Sequence, residues 1–212
     1  MSLDELKAKQ RYRVRRGLEN VEVCRVEAVS PELADEIYLI AVEAFAEYPE
    51  SYRPQLEHER FTQSVCSEKG DFWLCREKAS GQLCGYAICH PQADMVHLSV
   101  VKVPERFMKL EVNAAVAYQL CDYYLNQRHF RYICDGERNL RHQTGYQDFL
   151  CRVLNFRYAY CRLHVVYHPL IWPLVKGLYP FRNGIKKRSS SHRLLYNLST
   201  VLMQEEIVRK QG

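Results

Sequence analysis

Between Met95 and Tyr160 the chain fixes an order of elements that few folds accept. MVHLSVV, rich in β-branched residues, reads as a strand. KVPERFMKL leads from it into a helix whose apolar positions 110, 114, 117, 121 and 124 recur at three- and four-residue steps. RYICD is then a short buried strand. Tyr146, Phe149, Leu150, Val153 and Leu154 form the apolar face of a further helix that ends at Asn155-Phe156. Strand, helix, strand, helix predicts an α/β domain with helices packed on a sheet.

The upstream residues add strands to that sheet. Val21 to Ala28 alternates as V-E-V-C-R-V, the pattern of a half-buried strand. Ser30-Pro31-Glu32 starts a helix, with a hydroxyl cap and a proline in the first turn. Its stripe is Leu33, Ile37, Ile40, Ala41 and Ala44, and it should stop before Pro49. A second helix is expected from near Pro54 to Lys69-Gly70, with the glycine as a left-handed stop. FWLCRE and LCGYAICH flank KASGQ and predict a hairpin, and YAYCRLHVVY (158 to 167) predicts a last long strand. After His168, prolines, glycines and basic residues change the character, and HRLLYNLSTVLMQEEIVRK closes with a helix. The expected organisation is a basic arm over 1–16, one α/β domain over 17–168, and a basic, partly helical tail over 169–212.

At 212 residues such a domain buries a core without disulfides. The nine cysteines include no CxxC pair and no Cys/His ligand spacing, and read as small buried hydrophobes of a reduced, cytoplasmic protein. The first ten residues lack the apolar core of a signal peptide, and no apolar run approaches the ~20 residues of a membrane span. The net charge of +5 hides an asymmetry. Residues 1–16 carry six Lys/Arg against two acids and 162–212 carry nine against two, so an acidic centre lies between basic ends. Basic ends are solvated arms or meet an anionic partner. Trp172, Tyr179 and Phe181 before a basic cluster either pack back on the domain with the lysines in water or meet an anionic membrane surface, whereas no nucleic-acid reading motif is present in the central domain.

Three stretches resemble the GNAT superfamily of acyl-CoA-dependent N-acyltransferases. AFAEYP (44 to 49) is similar to the family's helix-ending AF-x-x-x-P run. VVKVPERFMKLEVNAAVAYQL is placed like motif A, a strand, a proline, then Arg/Gln-x-x-Gly-x-Gly/Ala opening a helix. TGYQDFLCRVLNFRYAY looks like the fourth helix with its terminal Gly-Phe, here Asn155-Phe156. The resemblance covers roughly residues 20 to 165. It implies an α/β GNAT-like fold, a mixed, mostly antiparallel central sheet flanked by helices, followed by the basic helical tail.

The same resemblance implies acetyl-CoA or another acyl-CoA as donor and a small-molecule or peptide amine as acceptor. In the family the motif A strand splays from its neighbour, the pantetheine arm binds the freed backbone, and the helix start receives the pyrophosphate. That places Val101 and Val103 along the arm. Counting from Pro104 puts Phe107, Leu110 and Val112 at the family's Arg/Gln, Gly and Gly/Ala positions, so the cradle is degenerate. Leu110 and Val112 crowd it unless Asn113-Ala114-Ala115 serve one turn later, and Arg106 and Lys109 can give charge-assisted contacts. The general acid falls on Cys151, with Tyr146 in reserve, and Glu137 is the expected base, with Glu47 and Asp135 as neighbouring carboxylates. Arg138, Arg141 and His142 share the Glu137 loop as rim charges or anion ligands. The rival reading is an inactive scaffold that works as a binding or peripheral membrane module. An acyl carrier protein as donor is a third.

Overall fold

The computed structural model describes residues 1–50, 53–136, 145–160, 162–189 and 192–211. The alternating runs pair as they stand in sequence. Strands β1 (Val21–Val26), β2 (Asp71–Glu77), β3 (Leu83–Gln92) and β4 (Met95–Lys102) are successive antiparallel neighbours, and β5 (Tyr132–Cys134) lies parallel to β4. The order β1-β2-β3-β4-β5 gives a mixed, mostly antiparallel sheet. Gly81, at φ 72°, turns the β2–β3 hairpin, a conformation that glycine adopts without a Cβ penalty.

Helices α1 (Ala8–Asn20), α2 (Pro31–Ala46), α3 (His58–Ser67), α4 (Val112–Cys121) and α5 (Gly145–Leu154) flank this sheet. The Ser30 hydroxyl accepts the Leu33 N–H at the start of α2, as its sequence promised. Ile37, Ile40 and Ala41 of α2 join Phe72, Leu74, Val96 and Leu98 of the strands in the main core. Helix α4 is apolar on two sides. Val112, Val116 and Leu120 enter the main core, while Ala114 and Ala117 meet Val14, Leu150, Val153 and Leu154 in a second cluster. At its end α4 runs into a π-helical turn, Asp122–Gln127, where Tyr124 takes a hydrogen bond from Trp73 and donates one to Asp71.

The chain divides into two compact units, Met1–Glu137 with Thr144–Phe156, and Arg138–Gln143 with Arg157–Gly212. The second unit contains α6 (Ile171–Leu178), a 3-10 turn (Tyr179–Phe181), α7 (Arg182–Arg188) and α8 (Arg193–Lys210). Val175 and Leu202 are buried within it. Tyr167 donates to Glu205 at 3.0 Å, and Leu163 N–H donates to Gln211 at 2.9 Å.

Three sequence expectations need correction. Residues 1–16 are not a solvated arm. Gln10, Val14 and Gly17 of α1 are buried at three- and four-residue steps, leaving Lys9, Arg15 and Arg16 on the outer face. Gln10 also donates to the Arg152 carbonyl and the Asn155 side chain at 2.8 Å each, tying α1 to the end of α5. The second correction concerns α3, which starts at His58 and ends at Ser67 with Glu68 extended, so Gly70 is not a left-handed stop. Gly70 is required elsewhere, because a Cβ there would press on Ile88 and the Cys89 carbonyl. The third is the last strand. Among the described residues of 157–168 no strand forms, because β propensity without a partner ladder does not make one.

Candidate functional site

Strands β4 and β5 pair over only three positions, Met95 with Tyr132, Val96 with Ile133 and His97 with Cys134. Beyond His97, β4 continues through Lys102 with β3 as its one strand neighbour among the described residues. β5 ends at Cys134, just before Asp135-Gly136. Gly136 has φ 76°, and a methyl group on it would collide with the His97 imidazole, so both the conformation and the close approach require glycine. β4 bends at the same level. Ile88 pairs with Val100 and Cys89 with Leu98, which leaves Ser99 in a bulge that adds twist where the partner is lost. The two parallel strands therefore pair no further, and among the described residues no strand covers this edge of β4 beyond His97.

Two titratable groups stand at the point of parting. The Asp135 carboxyl is pushed up to about 6 by burial, with a hydrogen bond from Gln147 acting the other way. Tyr146 lies in the first turn of α5, its ring stacked on Phe149 at 5.8 Å. Its hydroxyl is buried with no hydrogen-bond partner among the described residues. Burial first, and then the Asp135 charge, hold that phenol protonated well above its ordinary range. A buried donor left without an acceptor costs about 1–3 kcal/mol. His97 completes this group through its contact with Gly136.

The sequence-selected residues divide around this mouth. Tyr146 is at it. Cys151, five residues further along α5 and about 140° round the helix, is half-buried on another face, so the two cannot serve one reacting atom. Glu137 and the rim residues Arg138, Arg141 and His142 lie outside the described residues. Glu47 accepts a short hydrogen bond from the Glu105 N–H and is committed to the β4–α4 connection. Val101 lies on the open stretch of β4, opposite Ala87 of β3, and Val103 is buried beyond its end. Asp135 was visible only as one carboxylate among several, and His97 was missed. Its signal was its place between the inward Val96 and Leu98, which turns it to the opposite face of β4.

The entrance to α4 is built differently. A 3-10 turn, Glu105–Leu110, leads to Glu111, which adopts φ 58° and is held there by a bidentate ion pair with Arg13 of α1 at 2.7 to 3.0 Å. A Cβ on Gly17 would sit 2.6 Å from the Glu111 carbonyl, so α1 lies directly against the connection. Phe107 and Val112 are buried in the main core, and Leu110 is half-buried against it. Asn113 donates to the Met108 sulfur at 3.2 Å, Arg106 is paired with Glu43 at 2.6 Å, and Lys109 is exposed. The open β4 edge suits an extended, amide-bearing arm such as pantetheine. The α4 entrance offers a diphosphate less, because Arg106 is already paired with Glu43 and the Glu105 N–H is taken by Glu47.

A shallow hollow between α2 and α3, lined by Pro31, Asp35, Thr62 and Cys66, shares no residue with either end of this site. Among the described residues no helix is long and apolar enough to cross a membrane.

No protein-family model and no curated protein sequence matches the chain. Solved structures do. A ribosomal-protein-alanine N-acetyltransferase from Brucella melitensis biovar Abortus 2308 superposes with a TM-score of 0.52 at 11% identity, over 70% of this chain and 99% of that one. An acetyltransferase from Trypanosoma brucei gives a TM-score of 0.46 at 13% identity, over 70% and 100%. L-PGS from Bacillus licheniformis gives 0.48 at 12% identity, and the match spans 66% of this chain but only 45% of that one. At these identities it is the architecture that is shared, and the first unit has a GNAT-like fold.

Proposed function

We propose that the first unit is a GNAT-type N-acyltransferase that takes its acyl group from a pantetheine thioester, with acyl-CoA the first donor to test. The observation that carries this reading is the parting of β4 from β5 beyond His97, with Asp135 and Tyr146 at the point of parting. The free edge from Leu98 to Lys102 can hydrogen-bond an extended arm as it would bind an added strand. A bound thioester supplies the activated carbonyl. Asp135, ionised above a pH of about 6, takes a proton from the attacking amine, and Glu137 is the next carboxylate along the same segment. As the amide bond forms and the carbon–sulfur bond breaks, the Tyr146 hydroxyl donates its hydrogen bond to the departing sulfur. No step is assigned to Arg106, Lys109 or Asn113.

The carboxylates at the α4 entrance favour a second reading, a scaffold that keeps the fold without transferring an acyl group. Calorimetry and thermal melting with acetyl-CoA, longer acyl-CoAs and acyl-pantetheine separate the two. Saturation at about 100 Kd should raise the melting temperature by roughly 5 °C or more, and acyl-pantetheine should bind nearly as well as acyl-CoA. No heat and no stabilisation with any of the three leaves the scaffold.

A further inference from the structure

The second unit carries its apolar side chains outward. α6, the Tyr179–Phe181 3-10 turn and α7 follow one another directly, with Phe181 at φ −90°, ψ 4° between the last two. In this stretch Val175 is 2% exposed and inside. Leu170 is 79% exposed, Leu174 56% and Phe181 65%. A step of four puts Leu170 and Leu174 on one line of the helical surface, with Ile171 beside them, and Phe181 stands exposed at the end of the 3-10 turn. Trp172 is half exposed and flanks the line, with the Lys176 ammonium 3.8 Å over its ring.

Charge is segregated on the same unit. Residues 162–212 carry nine Lys/Arg against two acids. Both acids are taken, Glu205 by Arg209 and Tyr167, and Glu206 by Lys210 and Arg182. Lys186, Lys187 and Arg188 end α7 exposed, with no ion pair to any described carboxylate. A row of large apolar side chains at one end and unpaired cations at the other is a two-zone surface. It complements an anionic plane over an apolar interior. An acidic protein groove would need a shaped counterpart, whereas a lipid surface needs only these two zones.

We propose that α6 and α7 dock the protein on the surface of an anionic lipid bilayer. Leu170, Ile171, Leu174 and Phe181 enter the headgroup–acyl boundary, and Lys186, Lys187 and Arg188 stay at the phosphates. Lys176 holds its ammonium over the Trp172 ring at the edge of this face. This placement does not depend on whether the first unit transfers acyl groups.

The chain contains its own reporter. Of its two tryptophans, Trp73 is buried and Trp172 half exposed. With the full chain, vesicles of phosphatidylcholine containing about 30% phosphatidylserine should sediment the protein and shift Trp172 emission to the blue, and phosphatidylcholine alone should do neither. Lys186→Gln with Lys187→Gln should weaken partitioning roughly 30-fold, and Leu174→Ala with Phe181→Ala on the order of 100-fold. All four positions are surface side chains, so folding should be retained, and circular dichroism checks it. Equal recovery with neutral vesicles, no recovery with anionic ones, or unchanged binding by the Leu174/Phe181 variant overturns the proposal. A concentration-dependent dimer without lipid, lost in that same variant and accompanied by no vesicle binding, assigns the face to a second copy instead.

Discussion

The two ends of β4 differ in what they offer a donor. At the His97 end the neighbouring strand stops after three paired residues, beside a half-buried carboxyl and a buried hydroxyl that has no acceptor among the described residues. At the Lys102 end the chain closes through a 3-10 turn and a left-handed Glu111, and α1 is laid across it. The two ends thus differ in kind, one set by where a strand partner stops and the other by side-chain pairing.

That contrast is open to attack, most forcefully at the mouth. Tyr146→Phe or Asp135→Asn should lower kcat/KM on the order of 100-fold or more while the protein stays folded. Tyr146→Phe should also be as stable as the native chain or more so, because it deletes an unpartnered buried hydroxyl. A steady-state assay with any accepted amine, paired with thermal melting, reads both, and full activity in Tyr146→Phe would remove Tyr146 from the reaction.

Next in size is the lock at the other end. Gly17→Leu places side-chain atoms where the Glu111 carbonyl stands and should cost about 1–3 kcal/mol despite a better helix propensity, measured by urea unfolding. A neutral result would mean that α1 is not held against the α4 entrance.

A smaller effect concerns pH. Asp135 has a folded pKa raised above its unfolded value, so the folded state binds its proton more tightly, and its ionisation costs stability as pH rises through about 4 to 6. Asp135→Asn should therefore stabilise the protein by about 1–2 kcal/mol at pH 7.5 and change little at pH 4, read from denaturant melts at both values. The pH profile of kcat/KM should rise through about 6 in the native chain as the base ionises.

The smallest effect tests the closed entrance. Glu43→Gln releases Arg106 and should tighten acyl-CoA a few-fold while leaving acyl-pantetheine unchanged, measured by calorimetry. Equal gains for both would show that the entrance does not discriminate the diphosphate.

The mouth was only half legible in sequence. Counting back from Asn155-Phe156 leads to Cys151, and Tyr146, five positions earlier, is reached only by shifting the register, although Asn155 does take a left-handed turn at φ 58°. Asp135 could not be singled out from the other acids beside it, because its raised pKa comes from burial, which composition does not encode. His97 was hidden for a similar reason. Its neighbour Gly136 is adjacent in space and 39 positions away in the chain.

What the chain determined on its own were the elements whose signals are local. The Ser30 cap, the KASGQ hairpin and the β1 run each depend on residues within a few positions of one another and appear where they were read, whereas the stripe read from Leu110 is divided between a 3-10 turn, α4 and a π-helical turn and between two clusters. Tertiary structure alone decided whether a segment found a partner. Residues 1–16 looked like a solvated arm until Val14 and Gly17 met α4, and 158–167 looked like a strand but gained no ladder. Burial and pairing are properties of two segments at once, so no single segment can announce them.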